Sequence, residues 1–299
     1  MTSGSGAGME RSAIRVRVVG GLGNQLFRIF GASLVASSSQ QNLVLDLTWY
    51  HRRHRRRVTP RSPDYKYFSR LGQIPTVERL SKTRIVIEQV EDRLGSSLGA
   101  DIGLARSEEE INEKTRVIDA DFQGRAFLPS DDVLKYYLAQ VDHWSEAAEE
   151  VRRQIAHRKP IVAHVRLGDY TNLQHLYGFD VGKYYRTAYR LCIQMDMSGP
   201  VLLFSDDPDR ATRLFSSIGI PHELCTGQDE TSSVETLRMM ASGGSLITAN
   251  STYSWWAAEY GRLFYGLSRV VLPNRFTTRE RLGFVSDLTH PDWTIVSLR

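Results

Sequence analysis

Residues 161–170 carry the sequence Ile161-Val162-Ala163-His164-Val165-Arg166-Leu167-Gly168-Asp169-Tyr170. Residues typical of a buried β-strand lead directly into Arg and Asp, and Gly168 marks a sharp turn between these two. His164 and Arg166 lie two residues apart, so their side chains point to the same face of an extended strand. In open α/β sheets, ligands bind beyond the carboxyl ends of the strands. The segment therefore predicts a parallel sheet with a ligand site where this strand ends.

The residue types at this strand end indicate an anion or a nucleotide as the ligand. The guanidinium of Arg166 is a permanently charged planar group suited to phosphate, and the ring of His164 can stack or form hydrogen bonds. A core strand rarely carries two unpaired polar residues on one face, which favours a functional role. The structural alternative is a buried ion pair between Arg166 and Asp169 that closes the turn.

Strands and helices alternate on the C-terminal side of this segment. Short apolar runs predict strands at 200–204, 223–224, 245–249 and 270–273, and helical spacing predicts helices at 181–197, 208–217, 233–242 and 253–261. Such alternation predicts a parallel sheet with helices on both faces.

Polar residues also end two of these other strands. Asn250, Ser251 and Thr252 begin a helix, whose free N–H groups and dipole favour an anion. N-capping accounts comfortably for one such residue, whereas three in a row followed by Ser254 indicate more than a cap. Asp206 could accept hydrogen bonds from the N–H groups of a guanine edge, or equally it could be an N-cap for the next helix.

The N-terminal half begins with a strand, a glycine turn and a helix. Apolar residues at 14–19 are followed by Gly20-Gly21-Leu22-Gly23, a helix over 24–35 and a second strand at 43–46 that ends in an acid. Such a turn lets backbone N–H groups approach a phosphate, as in dinucleotide-binding proteins. Leu26 stands where the third glycine of that motif belongs, so a tight turn without a ligand is an equal alternative.

Two further clusters of charge have weaker functional interpretations. Asp119-Ala120-Asp121 could hold a divalent metal ion between two carboxylates, but a solvent-facing strand end tolerates two acids equally well. The basic run His51–Arg57 is typical of a solvated loop. It could instead contact nucleic acid, although it lacks interleaved aromatic residues, or an acidic or phosphate-bearing glycan or lipid-linked acceptor.

The composition is that of an ordinary globular protein. The 299 residues include 41% apolar and 24% charged residues, and the net charge of +4 permits anionic ligands without indicating nucleic acid. The two cysteines provide no disulfide framework, and no run approaches the ~20 apolar residues of a membrane helix. We therefore expect a cytoplasmic protein with no integral membrane segment, for which peripheral membrane contact stays open.

The length predicts two domains of ordinary size. Residues 1–13 lack the apolar region of a signal peptide and predict a disordered leader. A helix over 145–155 is followed by His157-Arg158-Lys159-Pro160. This places the boundary between a first domain at 14–158 and a second domain at 159–299, whose last residues could pack back on the first.

Four segments together resemble the successive motifs of glycosyltransferase family eleven, the α-1,2-fucosyltransferases. In the family's order they are 20–27 (GGLGNQLF), 164–170 (HVRLGDY), 204–207 (FSDD) and 247–256 (ITANSTYSWW). The resemblance covers the chain from residue 14 to about residue 293. It implies a GT-B-type fold of two Rossmann-like domains facing a cleft, GDP-fucose as donor, a galactose-ended or lipid-linked glycan as acceptor, and no metal ion or other cofactor.

The resemblance also implies functional residues. The donor-binding residues it implies are Gly21, Gly23, Asn24, Gln25, His164, Arg166, Ser205, Asp206, Asn250, Ser251, Thr252 and Ser254. Arg166 would hold the β-phosphate, and Asp169 would be either the general base or an ion-pair partner that orients Arg166. The sequence departs from the family at Leu167, where a second arginine is usual, and at Thr236, where many members carry an acid and which here follows Glu235.

The implied reaction is transfer of L-fucose from GDP-β-L-fucose to the 2-OH of a terminal galactose, with inversion at the anomeric carbon. The donor loses a dianionic leaving group, so positive charge at the diphosphate should carry much of the catalysis. The alternatives are a glycosyltransferase with another nucleotide-sugar donor and, less well supported, a dinucleotide-dependent oxidoreductase.

Overall fold

The computed structural model describes residues 13–51, 61–78, 104–142, 144–168, 180–226, 231–276 and 286–297. Within them lie two sheets, one of five strands and one of six, and every strand pair in both is parallel. The predicted α/β architecture of GT-B type, with two Rossmann-like domains built on parallel sheets, is confirmed.

The first sheet has the strand order β3-β2-β1-β5-β4. Its strands are β1 (Ala13–Arg17), β2 (Asn42–Asp46), β3 (Thr76–Val77), β4 (Leu104–Ala105) and β5 (Val117–Ile118). The helices of this half are α1 (Leu22–Ser38), α2 (Thr48–His51), α3 (Ser69–Gly72) and α4 (Asp131–Leu138). The central strand β1 leads through the glycine turn into α1, which is the longest helix of the described residues.

The second sheet has the strand order β11-β10-β9-β6-β7-β8. Its strands are β6 (Ile161–Val165), β7 (Val201–Ser205), β8 (His222–Leu224), β9 (Ser245–Ile247), β10 (Val270–Pro273) and β11 (Thr294–Val296). The helices are α5 (Glu146–Arg158), α6 (Val181–Gln194), α7 (Pro208–Ser217), α8 (Ser233–Ala241) and α9 (Thr252–Tyr265). All five residues of β6 are buried, as expected for a central parallel strand covered on both faces.

The two halves share one hydrophobic core. Four aromatic rings join α1 of the first half to α9 of the second: the Phe27 centroid lies 5.0 Å from that of Trp255 and 5.1 Å from that of Trp256, and Phe30 lies 5.5 Å from Trp256. Val162 of β6 belongs to this same core. Its strand neighbours Ile161 and Ala163 face a second core on the opposite side of the sheet.

Helix α5 precedes the predicted boundary at residue 158, but it packs against α8 of the second half. The Glu235 carboxylate of α8 accepts hydrogen bonds from the Ser145 N–H at 2.7 Å and from the Ser232 N–H at 2.6 Å. The Arg238 guanidinium lies 3.9 Å from the ring centroid of Trp144. Glu235 directly precedes Thr236, a position at which many members of family eleven carry an acid. The Glu235 carboxylate therefore caps the N-termini of two helices.

The C-terminal segment contacts both halves. Strand β11 forms an edge of the second sheet, and just before it His290 Nε2 lies 3.1 Å from Nη1 of Arg125 in the first half. His290 Nε2 also lies 2.9 Å from the buried Glu259 carboxylate of α9. Of the predicted leader and the basic run, only Ala13 and His51 fall within the described residues, and Asp169 lies outside them.

Candidate functional site

The second sheet has a topological switch point between β6 and β9. From β6 the chain adds β7 and β8 on one side, and it then returns to place β9, β10 and β11 on the other. In open α/β sheets the loops at such a point diverge, and the crevice that binds ligands lies at the carboxyl ends of the two strands. Arg166–Gly168 follow β6, and Thr248–Ser251 follow β9 and lead into α9.

Arg166 and Asp206 lie together at this crevice. Arg166 Nη1 is 3.5 Å from Asp206 Oδ2, and Oδ1 of the same carboxylate accepts hydrogen bonds from the N–H groups of Leu167 at 2.8 Å and Gly168 at 3.2 Å. A Cβ at Gly168 would come within 3.0 Å of Asp206 Oδ2, so glycine allows this close approach. Asp206 thus holds the turn after β6 and is an acid that pairs with Arg166.

The neighbours of Asp206 secure the strand ends. Asp207, rather than Asp206, is the N-cap of α7, because its side chain accepts the Arg210 N–H at 3.2 Å. Ser205 Oγ donates to the Val165 carbonyl at 2.6 Å and accepts from the Asp207 N–H at 3.0 Å. These contacts fix the carboxyl ends of β6 and β7 relative to each other.

His164, two residues before Arg166, is buried and uncharged. The residue is 4% exposed, and its Nδ1 has no hydrogen-bond partner within the described structure. Its ring lies 5.5 Å from the ring of Tyr253 on α9, centroid to centroid. Burial, assisted by the positive charge of Arg166, lowers the pKa of His164 to about 4. The ring is therefore uncharged at neutral pH and can offer one nitrogen as a hydrogen-bond acceptor or donor.

The polar residues after β9 have partners within the chain. Ser251 is the N-cap of α9, since its hydroxyl accepts the Tyr253 N–H at 3.3 Å. Ser254 Oγ accepts the Ala249 N–H at 3.1 Å. Asn250 Nδ2 donates to the Phe276 carbonyl at 3.3 Å. These hydrogen bonds shape the loop between β9 and α9 at the edge of the crevice.

The N-terminus of α1 packs directly against the N-terminus of α9. A Cβ at Gly23 would lie 2.5 Å from both the Thr252 carbonyl carbon and the Tyr253 nitrogen, so only glycine permits this contact. Thr252 Oγ1 donates to Asn24 Oδ1 at 2.7 Å. The glycine motif of the first half therefore brings two helix N-termini, each with a positive partial charge, to the same place.

The preceding residues of the glycine motif shape the turn into α1. Gly20 has a φ of +75°, in the left-handed region that glycine adopts readily. A Cβ at Gly21 would lie 3.9 Å from the side chain of Arg61. The turn therefore packs beside residues 61–65 of the first half.

Gln25 fastens that segment to α1. Its amide is fully buried, donates to the Gly20 carbonyl at 3.1 Å and the Ser62 carbonyl at 2.7 Å, and accepts the Tyr65 N–H at 2.9 Å. The Gln25 amide therefore holds residues 62–65 in place through hydrogen bonds to their backbone.

The two acids after β5 are paired with arginines. Arg28 Nη1 donates to Asp119 at 2.8 Å and Nη2 to Asp121 at 2.6 Å, and Arg17 Nη1 donates to Asp119 at 3.1 Å. Across the described ranges, no cluster of three or more His, Cys, Asp or Glu side chains is arranged to hold a metal ion. The negative charge of the D-x-D pattern is thus balanced by the protein itself.

Sequence reasoning missed three residues at this crevice: Asp64, Ser233 and Tyr253. The Tyr253 hydroxyl donates to the Ser233 carbonyl at 2.5 Å, and Ser233 Oγ donates to Asp64 Oδ2 at 2.6 Å. Tyr253 stands inside one of the quoted motifs, so its position was available as a signal. Asp64 carries no local pattern that distinguishes it from an ordinary loop acid.

Comparison with known proteins gives weak similarities. No family model matches the chain. The O-antigen biosynthesis glycosyltransferase WbnK of Escherichia coli is 31% identical over 98 residues, which is 32% of this chain and 32% of the length of that protein.

Solved structures align with most of this chain at low identity and low TM-score. The fucosyltransferase NodZ from Bradyrhizobium has a TM-score of 0.47 at 14% identity, covering 84% of this chain and 93% of that one. POFUT1 in complex with GDP has a TM-score of 0.44 at 11% identity, covering 88% and 98%. Arabidopsis thaliana FUT1 in complex with GDP has a TM-score of 0.43 at 15% identity, covering 95% and 74%. At these scores the similarities do not establish an activity.

None of the helices in the described part of the chain combines the length and the apolar character needed to cross a membrane.

Proposed function

We propose that this protein transfers L-fucose from GDP-β-L-fucose to the 2-OH of a terminal galactose, with inversion at the anomeric carbon and without a metal ion. The observation that carries this proposal is that Arg166, paired with Asp206 at 3.5 Å, follows the buried and neutral His164 at the switch point of a parallel sheet. A crevice at such a point is where nucleotides bind in open α/β folds. The four sequence segments that resemble family eleven support the choice of donor and linkage.

Arg166 is proposed to hold the β-phosphate of the donor. Its guanidinium is only 15% exposed, which strengthens its interaction with a phosphate by excluding water. Asp206 would orient it through the contact at 3.5 Å. Leu167, where family members usually carry a second arginine, packs with the apolar core on the other side of the sheet. Arg166 would therefore carry the phosphate charge without a second arginine beside it in the sequence, although Arg210 reaches the same turn, where its Nη1 donates to the Leu167 carbonyl at 3.3 Å.

The remaining donor contacts are proposed around α9 and His164. The first turn of α9, with Ser251 and Thr252, would add its dipole near the diphosphate. His164, neutral and with an unpartnered Nδ1, would meet the nucleotide beside Tyr253. Asn24 and Gly23 would act indirectly, because they position α9 by packing against it.

In the proposed reaction the acceptor oxygen bonds to the anomeric carbon of fucose as the bond to the β-phosphate oxygen breaks. GDP leaves with the bonding electron pair, and the acceptor hydroxyl releases its proton to a base. Positive charge at Arg166 stabilises the leaving group as its charge grows. The metal-free character follows from this assignment, since the guanidinium supplies the charge that a divalent ion supplies in other enzymes.

A mass-spectrometric assay tests the donor and the acceptor. The purified protein is incubated with GDP-fucose, or with other nucleotide sugars, and a panel of galactosides; we expect a fucosylated galactoside from GDP-fucose with one GDP released per product. NMR of the product should show an α-1,2 linkage. Product formed solely from another nucleotide sugar would assign a different donor. Binding of NAD(P) without any transfer would favour the oxidoreductase alternative. The tight packing of Gly23 on α9 argues against that alternative.

The same assay tests the metal requirement. We expect turnover to persist in excess EDTA. Loss of turnover that Mn²⁺ restores would contradict this part of the proposal and would make Asp119 and Asp121 candidate ligands, although Arg28 and Arg17 now pair with them.

A further inference from the structure

An inverting transfer needs a group that accepts the proton of the acceptor hydroxyl, and this inference rests on the proposed function. Among the described residues, most acids near the strand ends are already bound by cations or by backbone N–H groups. Asp206 is held by Arg166 and two N–H groups, Asp119 and Asp121 by arginines, and Asp207 by its capping role.

Asp64 differs from these acids. It begins a single 3₁₀ turn, Asp64–Tyr67, in the first half, and its carboxylate accepts hydrogen bonds from two hydroxyls, those of Ser62 and Ser233. Each carboxylate oxygen has room for a second hydrogen bond, so a substrate hydroxyl can bind without displacing either partner. The residue is partly exposed, so its carboxylate is accessible to a substrate.

The position of Asp64 is fixed by contacts from both halves of the molecule. Gln25 holds the backbone on both sides of it, at Ser62 and Tyr65. Ser233 Oγ, 2.6 Å from Asp64 Oδ2, begins α8 of the second half. Asp64 therefore reaches across from one half of the molecule to the other.

Tyr253 connects Asp64 with the proposed phosphate site. Its hydroxyl donates to the Ser233 carbonyl, and its ring packs on His164. Burial raises the pKa of Tyr253; the negative charge of Asp64 adds to this effect, and the positive charge of Arg166 opposes it. Asp64 and Arg166 thus act with opposite charges on the same side chain. A carboxylate that activates the acceptor and a cation that binds phosphate would do so if they belonged to one site.

We propose that Asp64 is the general base of the transfer. As the acceptor oxygen bonds to the anomeric carbon, its proton passes to an Asp64 carboxylate oxygen, while the electron pair of the broken bond leaves with GDP. The protonated carboxyl then returns the proton to solvent. The first half of the molecule thereby contributes a reacting group to a donor bound on the second.

The alternative role of Asp64 is a latch between the two halves through Ser233. The variants Asp64→Asn and Ser233→Ala separate these roles. Asp64→Asn removes the basic carboxylate but keeps an amide oxygen that can accept the Ser233 hydroxyl, whereas Ser233→Ala removes the latch and keeps the carboxylate. We expect Asp64→Asn to lower kcat by on the order of 10²–10³-fold and to abolish the acidic limb of the pH profile of kcat. Ser233→Ala should keep that limb and lose less than about tenfold. GDP affinity, measured by calorimetry, should change little in either variant.

A second measurement distinguishes loss of the carboxylate from loss of folding in the variants. In Asp64→Ala, added formate should restore part of the lost turnover by supplying a carboxylate, whereas it should not affect Ser233→Ala. Equal losses in Asp64→Asn and Ser233→Ala, or a retained acidic limb in Asp64→Asn, would overturn the proposal and leave Asp64 as a latch. A wild-type protein that forms no fucosylated product would instead overturn the proposed function, and this inference would fall with it.

Discussion

The carboxyl edges of the two sheets are built from similar residue types but are used differently. At the first edge, Arg28 makes hydrogen bonds to Asp119, Asp121 and the Arg17 carbonyl, so its charge is fully engaged. At the second edge, Arg166 pairs with Asp206 at 3.5 Å, and Nδ1 of the buried His164 has no hydrogen-bond partner among the described residues.

The difference is the one that the proposed function predicts between a ligand-binding edge and a structural edge. A buried polar atom without a hydrogen bond costs free energy, so a folded protein retains one where something else supplies the partner. At the first edge Asp46 Oδ2 is also buried without a hydrogen bond, but it forms an ion pair with Arg15 Nη1 at 3.3 Å, so the charges of this edge are balanced within the chain. The second edge leaves hydrogen-bonding capacity at His164, beside a cation, for a bound molecule.

The largest expected effect is at Arg166. Arg166→Ala should lower turnover by on the order of a thousandfold, because a charge-assisted bond to the leaving phosphate is worth ~3–4 kcal/mol in the transition state. Arg166→Lys keeps the charge but loses the two-pronged geometry and should also be severely impaired. Steady-state kinetics and thermal melting measure the two consequences separately. A variant that unfolds, or that is folded with near-normal turnover, would show that Arg166 has a structural role like that of Arg28.

The second effect is a pH dependence of stability caused by His164. The groups that face its ring are Arg166, Asp206 and Tyr253. The pKa of His164 falls from 6.5 in the unfolded chain to about 4 in the folded protein. Between these values the unfolded state binds a proton that the folded state does not. The stability is therefore greatest above pH 6.5 and falls as the pH drops towards 4, by up to about 3 kcal/mol.

His164→Phe provides the comparison for this pH effect. Phenylalanine keeps a ring against Tyr253 and removes the titrating group. Urea unfolding at several pH values should give a shallower loss of stability from pH 6.5 to 4 in this variant than in the wild type. Identical slopes in the two proteins would show that His164 is not held neutral, and the contrast between the two edges would lose its basis.

The smallest effect is expected at the first edge. Arg28→Met should lower the free energy of unfolding by about 2 kcal/mol, because it leaves acids without their cation; the penalty is below that of a fully buried pair since Asp121 is 60% exposed. GDP affinity of the folded variant should stay near the wild-type value. Chemical denaturation and calorimetry measure both quantities. A large loss of GDP affinity at unchanged stability would place a ligand at the first edge as well.

The second half of the fold could be predicted from the sequence more fully than the first. The predicted bounds of β6, β10 and α7 agree with the structure, because strands buried on both faces form continuous apolar runs. Strands β4 and β5 contain two residues each, which is too short for any periodic pattern. Their pairing is decided by residues far away in the chain.

The candidate site shows the same limit. The strand-end position of Arg166 follows from local sequence, but its partner Asp206 lies 40 residues later, and sequence reasoning chose the nearby Asp169, which lies outside the described residues. The contact between Gly23 and Thr252 spans 229 residues and cannot be inferred from spacing. The motif therefore predicted a candidate site at this strand end, whereas the structure identified which side chains meet there.

The aromatic cluster of Phe27, Phe30, Trp255 and Trp256 has a consequence for how the molecule can change shape. Because these rings form one interior, the two halves are not independent bodies joined by a hinge, and wide separation of the sheets would expose large apolar surfaces to water. Unfolding of either half would expose the apolar residues that the other half packs against, so we expect the chain to melt as one cooperative unit. Exchanging one half for that of a distant relative would then require the helices α1 and α9 to be transferred together.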